Sequence, residues 1–142
     1  EMETVLKVAP RGSPVEAWRA FIEAGPGIVP ETAPSILHND FAAEHVLLDP
    51  DTRRVTGVID WSEIAIGHPA ADFAGVFHWG GAAFAESVLA SYTRAADVRP
   101  ALHAAQFLAA CRGAADIAFG VERHRPDYVR AGLRALSYAA PV

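Results

Sequence analysis

A mainly α (α+β) domain, with helices packed around one short antiparallel β-hairpin, is the fold class that the sequence predicts. Three observations predict it. Apolar residues recur at helical spacing through most of the chain, first over Val15–Ile22 and again from Phe73 to Leu136. One central stretch breaks that period: His45–Leu48 and Val55–Ile59 are aliphatic, largely β-branched runs. Between them lies Asp49-Pro50-Asp51-Thr52-Arg53-Arg54, a polar, turn-forming sequence that suits a hairpin loop.

The elements follow in order. Residues 1–12 carry only a short apolar stretch (Val5, Leu6, Val8) and indicate no definite element. Ser13 as N-cap, Pro14 at the first helical position and Glu16 in a capping box predict a helix start. Val15, Trp18, Phe21 and Ile22 continue that helix, and Gly25-Pro26-Gly27 ends it. A connector with Pro26, Pro30 and Pro34 leads to the hairpin, which must pack on helices because two strands alone are marginal. Four helices then follow. Pro69 opens one through Phe73, Val76 and Phe77 to about Gly80-Gly81, and Phe84, Val88 and Tyr92 mark the next. Pro100 opens a long one through Leu102, Ala105, Leu108 and Ala115 toward Glu122. Pro126 opens the last, with Val129, Leu133 and Leu136 on one face.

Composition narrows the class. The 142 residues suit a single domain, and 51% hydrophobic with 20% charged residues excludes a disordered chain. No apolar run reaches the ~18 residues of a membrane span. A net charge of −5 without a basic cluster argues against nucleic-acid binding and fits a cationic or small neutral ligand better. The lone Cys111 excludes a disulfide framework and a multi-cysteine zinc site, and the lack of a signal peptide makes the reducing cytoplasm the expected compartment. Oligomeric state is not readable.

The ionisable residues of interest gather around the hairpin. Antiparallel register with the loop centred near Thr52-Arg53 sets His45 roughly opposite Asp60. His38, Asp40, His45 and Asp60 should therefore converge at the open end of one hairpin. A buried apolar hairpin has no structural need for four such groups together. They could bind a metal, and Asp40 or His38 could act as a base.

The segment Leu37-His38-Asn39-Asp40-Phe41-Ala42-Ala43-Glu44-His45-Val46-Leu47-Leu48, with Val58-Ile59-Asp60-Trp61, resembles the active-site signature of the aminoglycoside phosphotransferase and choline kinase-like superfamily. Ile66-Gly67-His68-Pro69-Ala70-Ala71-Asp72-Phe73-Ala74 is similar to the segment that follows in that family. The likeness covers residues 35–79 well and residues 13–34 and 80–140 loosely. It implies a protein-kinase-like C-terminal lobe and transfer of the γ-phosphate of ATP or GTP to a hydroxyl of a small molecule, an aminoglycoside-like antibiotic being favoured. It also implies roles: Asp40 as catalytic base, His38 as brace of the catalytic loop, position 45 and Asp60 as holders of Mg²⁺, and Asp72 as the structural carboxylate that pins the loop. Acidic residues on the following segments, Glu63, Asp116 and Glu122, are the corresponding candidates for contact with a cationic acceptor. His45 stands where the family usually has a metal-binding asparagine; magnesium prefers oxygen ligands, so the imidazole leaves open looser binding, a water-mediated contact or tolerance of Mn²⁺.

Nothing in residues 1–142 supplies a Gly-rich phosphate loop or a strand-borne lysine; Lys7 is the sole lysine. The sequence thus reads as one domain holding the acceptor and metal half of a kinase, without the N-terminal nucleotide-binding lobe, and as inactive by itself. Two other readings stay open: a kinase remnant serving as a binding module, and a metal-dependent hydrolase using the same four residues. Arg112 and Asp116 stand at i, i+4, the spacing of a surface ion pair. Trp61, Phe77, Trp79, Phe119 and Cys111 read as core.

Overall fold

The computed structural model describes residues 1–139. Two long helices, α3 (Ala70–Ser91) and α5 (Leu102–Glu122), and the final helix α6 (Pro126–Ala139) form its body. A first helix, α1 (Met2–Val8), occupies the stretch where the sequence indicated none; its Val5 is fully buried against the core. Helix α2 (Val15–Ala24) presents Trp18 and Phe21 to that core and stops at Gly25, whose φ of 79° suits glycine. The predicted capping box does not form. Pro14 takes the N-cap position without a side-chain cap, and the Ser13 carbonyl accepts from the Val15 N–H at 2.9 Å.

Two separate two-stranded antiparallel ladders lie between α2 and α3. The predicted hairpin is β2 (Val46–Leu48) with β3 (Val55–Val58), paired Val46 to Val58 and Leu47 to Gly57. His45 falls just outside, in a 3₁₀ turn over Ala43–His45, and its carbonyl accepts the Ile59 N–H at 2.9 Å, so it stands opposite Ile59 rather than the expected Asp60, which follows one residue later. The hairpin is not buried: Leu47, Leu48 and Val55 are 43%, 46% and 63% exposed. The second ladder, β1 (Ser35–Leu37) with β4 (Ala65–Gly67), was not legible, because each strand is only three residues long. Arg94 ties the connector before β1 in place. Its guanidinium donates to the Ser35 hydroxyl and to the Ala33 carbonyl at 2.5 Å, while Nε holds Asp97 at 2.7 Å.

The sequence read two helices from Pro69 to Tyr92; the structure joins them into α3 with a kink at Gly81, where φ is 71°. The break lies at the glycine pair that the sequence marked. A short turn of helix, α4 (Ala95–Val98), and a 3₁₀ turn containing Pro100 lead into α5. Helices α5 and α6 meet closely at two glycines. A Cβ on Gly132 would collide with the Gly113 carbonyl oxygen and lie 2.7 Å from Ile117 Cγ1. Leu89, Val98, Ile117 and Leu136, from α3, α4, α5 and α6, are fully buried in one shared core; truncating such a leucine to alanine costs about 2–5 kcal/mol. Of the residues read as core, Phe77 is buried, whereas Trp61, Trp79 and Phe119 are 46%, 36% and 42% exposed. Cys111 is half-buried, and its burial pushes the thiol above its ordinary value. No helix among the described residues is long and apolar enough to cross a membrane.

Candidate active site

The segment joining β1 to the hairpin carries the site, and α3 holds it. Asp72, in the first turn of α3, accepts the backbone N–H of His38 at 2.9 Å on Oδ2 and that of Asn39 at 2.8 Å on Oδ1. Asn39 has a φ of 64°, a left-handed conformation that asparagine tolerates better than most residues. That turn delivers Asp40 to the surface of a cavity. Gly75, one turn further along α3, lies against the loop: a Cβ there would collide with the Phe41 carbonyl oxygen.

His38 is 2% exposed. Its Nε2–H donates to the Ile59 carbonyl at 2.8 Å, which fixes the tautomer and ties the loop to the end of the hairpin. Its ring stacks on His45 with centroids 5.4 Å apart and an interplanar angle of 20°, and meets Trp61 at 4.7 Å. The hairpin's open end therefore does gather the four predicted residues.

His45 Nδ1 lies 2.8 Å from the Asp40 carbonyl oxygen, to which it donates. With Nδ1 donating, Nε2 is the nitrogen that can offer a lone pair, and it faces Asp60 Oδ2 at 3.6 Å. Asp60 takes a left-handed conformation at the end of the hairpin, and the Ser62 hydroxyl donates to its other oxygen at 2.9 Å. Two lone-pair donors facing each other, each braced on its far side by a hydrogen bond, form a pair suited to a cation. A histidine ligand whose second nitrogen donates to a backbone carbonyl is the usual arrangement at metal centres. Among the described residues no group of three or more His, Cys, Asp or Glu side chains is placed to hold a metal. Two ligands are the small protein contribution that Mg²⁺ takes when phosphate oxygens and water complete its shell.

Asp40 points into a cavity of about 560 Å³, also lined by His45, His78, Trp79, Arg112, Asp116 and Tyr128. Its Oδ1 accepts from Arg112 Nη2 at 2.8 Å, and Oδ2 lies 4.0 Å from His45 Nδ1. Here the structure corrects the i, i+4 reading. Arg112 turns to Asp40, and Asp116 instead meets His78 Nε2 at 2.7 Å. At the cavity's rim Arg125 and Asp127 pair at 2.7 Å; the guanidinium holds the Asp127 carboxyl below its usual range, and Asp127 raises Arg125. Of the three acceptor candidates, Asp116 lines this cavity. Glu63 lies in the exposed turn after Asp60, and Glu122 is an exposed residue at the end of α5, 3.7 Å from Arg123.

The sequence matches the family model described as phosphotransferase enzyme family over residues 4–127. The chain belongs to that family. Viomycin phosphotransferase of Streptomyces vinaceus is 35% identical over 63 residues, 43% of this chain and 21% of that protein. Two solved structures share the fold. The GDP and kanamycin complex of APH(2")-IIia superposes with a TM-score of 0.61 at 19% identity, covering 97% of this chain and 50% of that one. The GDP complex of wild-type aminoglycoside 2'-phosphotransferase-IIIa gives 0.58 at 20% identity, with 97% and 48% covered. The kinase-like fold expected from the signature is thus the fold of this chain. The chain spans about half the length of these solved relatives. Arg112 and His78 were missed as members of the site. Arg112 lies 72 residues from Asp40, and His78 lies 38 from Asp116, so no local spacing links either pair.

Proposed function

We propose that residues 1–142 are the acceptor and metal half of a phosphotransferase that moves the γ-phosphate of ATP or GTP to a hydroxyl of a small molecule. An aminoglycoside-like antibiotic is the favoured acceptor. The observation that carries this reading is the convergence of Asp40, His45 and Asp60 at one loop end, held there by Asp72. Phosphoryl transfer asks mainly for positioning and charge compensation, which this arrangement supplies.

In this reading Asp40 is the catalytic base. Its Oδ1 is engaged by Arg112, so Oδ2 receives the acceptor's hydroxyl proton. His38 braces the loop against Ile59, and Asp72 fixes its backbone. His45 and Asp60 are the residues that would hold Mg²⁺, or Mn²⁺ in its place. The chemistry such an ion would supply is compensation of phosphate charge. Asp116, in the cavity, is the acidic residue best placed to meet an acceptor; Glu63 and Glu122 would do so only for one reaching beyond it. The GDP and kanamycin bound by the solved relatives support a nucleotide donor and a cationic acceptor. A cytoplasmic setting, where nucleoside triphosphates are abundant, suits the reaction. The nucleotide-binding lobe is assigned to polypeptide outside residues 1–142.

The test is phosphorylation of kanamycin and viomycin by the full-length protein with ATP or GTP, alongside calorimetry of Mg²⁺–nucleotide binding. Wild type should phosphorylate one of them, and Asp60→Ala should bind Mg²⁺–nucleotide more weakly. Equal affinity in wild type and Asp60→Ala would remove Asp60 from the metal site.

A further inference from the structure

Arg112 enters the reading above only as the partner of Asp40 Oδ1, yet its contacts go further than one ion pair. Nη2 donates to Asp40 Oδ1 at 2.8 Å, and Nη1 donates to the Phe41 carbonyl at 3.2 Å. One planar group therefore grips both the carboxylate and the backbone of the next residue. The same Phe41 carbonyl is pressed against Gly75 on α3. The loop end is thus held between α3 and α5, and Arg112 is the α5 contribution. A carboxylate turns easily about its terminal torsion, which is broad and roughly two-fold. With Oδ1 tied down, that rotation stops and Oδ2 keeps one direction, on the side of His45.

We infer that Arg112 is the positioning residue of the phosphotransferase: it orients the Asp40 carboxylate for proton acceptance through a two-point grip on the loop. The inference rests on the kinase reading of Asp40. Arginine suits the task because its rigid fork serves two acceptors in fixed directions, which an ammonium on a flexible stem does poorly. Among the described residues, the hydrogen bonds of Arg112 go to Asp40 and Phe41, not to His45 or Asp60, so its effect belongs to the chemical step rather than to metal binding.

The experiment compares Arg112→Ala, Arg112→Lys and Asp40→Asn in the full-length protein. The acceptor is kanamycin or viomycin, whichever the wild type phosphorylates; slow nucleotide hydrolysis by water serves if it uses neither. Misplacing a reacting group by about 1 Å costs ~10²-fold, so Arg112→Ala should lower kcat ~10–100-fold with KM little changed. Mn²⁺–nucleotide affinity should stay at the wild-type value. Arg112→Lys should lie between the two, and added guanidinium chloride at millimolar concentration should restore part of the rate of Arg112→Ala but not of Asp40→Asn. A wild-type kcat in Arg112→Ala overturns the inference. So does a lost rate with a lowered melting temperature that neither lysine nor guanidinium restores, because Arg112 then serves only the fold. If Asp40→Asn itself keeps full activity, the kinase reading of the loop fails, which is a separate outcome.

Discussion

Removing the Asp72 carboxylate should unpin the loop at His38 and Asn39 and lower stability measurably. Its two hydrogen bonds, 2.9 and 2.8 Å long, go to consecutive backbone N–H groups on a loop 33 and 34 residues away. A hydrogen bond to a charged group contributes ~1.5–3 kcal/mol, which sets an upper figure of about 6 kcal/mol for the pair. The Asn39 amide is exposed and recovers water when the carboxylate goes; the His38 amide is partly buried and does so less well. Asp72→Ala should therefore cost about 2–4 kcal/mol. Asp72→Asn keeps one acceptor oxygen but turns an amide NH₂ toward the other backbone N–H. It also loses a negative charge at the start of α3, so it should recover less than half of the loss. At roughly 3 °C per kcal/mol for a domain of this size, Asp72→Ala should melt ~6–12 °C lower. Thermal melts followed by circular dichroism, with hydrogen exchange at the His38 and Asn39 amides, measure both effects. A melting temperature within about 2 °C of wild type, with unchanged exchange at those amides, would refute the reasoning.

Two further outcomes follow from the same contacts. Gly132→Ala puts a Cβ into the Gly113 carbonyl and close to Ile117; overpacking of this kind costs ~1–3 kcal/mol, and a denaturant midpoint equal to wild type would show that α5 and α6 separate freely. Asp49 closes the hairpin loop, and its carboxyl is held below the ordinary value chiefly by the Thr52 N–H, then by the Thr52 hydroxyl and the Asp51 N–H. A depressed carboxyl contributes stability above its unfolded pKa and loses it as pH falls through the folded one. The Thr52 amide resonance should therefore titrate with a midpoint below 3.8, the group's ordinary value; a midpoint above that value would contradict the loop geometry.

The parts of the fold legible in the sequence were those set by local pattern. The α5 and α6 starts, the break near Gly81 and the hairpin itself all follow from residues close in the chain; the register came out one residue off, because the irregularity between Leu47 and Leu48 leaves no local signal. The β1–β4 ladder did not show, since its pairing joins Ser35 to Gly67 across 32 residues with three residues per strand. The hairpin's exposure was also misjudged: aliphatic character was read as burial, yet few elements of this chain cover it. Helix α1 was missed because seven residues carry too little periodic signal; tertiary burial of Val5, not propensity, accounts for it. At the site, the His38, Asp40, His45 and Asp60 cluster could be read because a hairpin's geometry converts spacing into proximity. Arg112 could not, because α5 reaches the loop only through the packing of α3 against α5.

The central claim is that Asp40 accepts the acceptor's proton while His45 and Asp60 hold the metal. It is tested most directly by kcat, KM and bound metal measured side by side for Asp40→Asn and wild-type full-length protein. General-base positioning is worth ~10²–10⁴-fold, so kcat should fall by about that factor with KM little changed and metal–nucleotide binding retained. Loss of metal together with activity would favour a hydrolytic metal site, and a near-wild-type kcat on the best acceptor would make Asp40 structural and contradict the account.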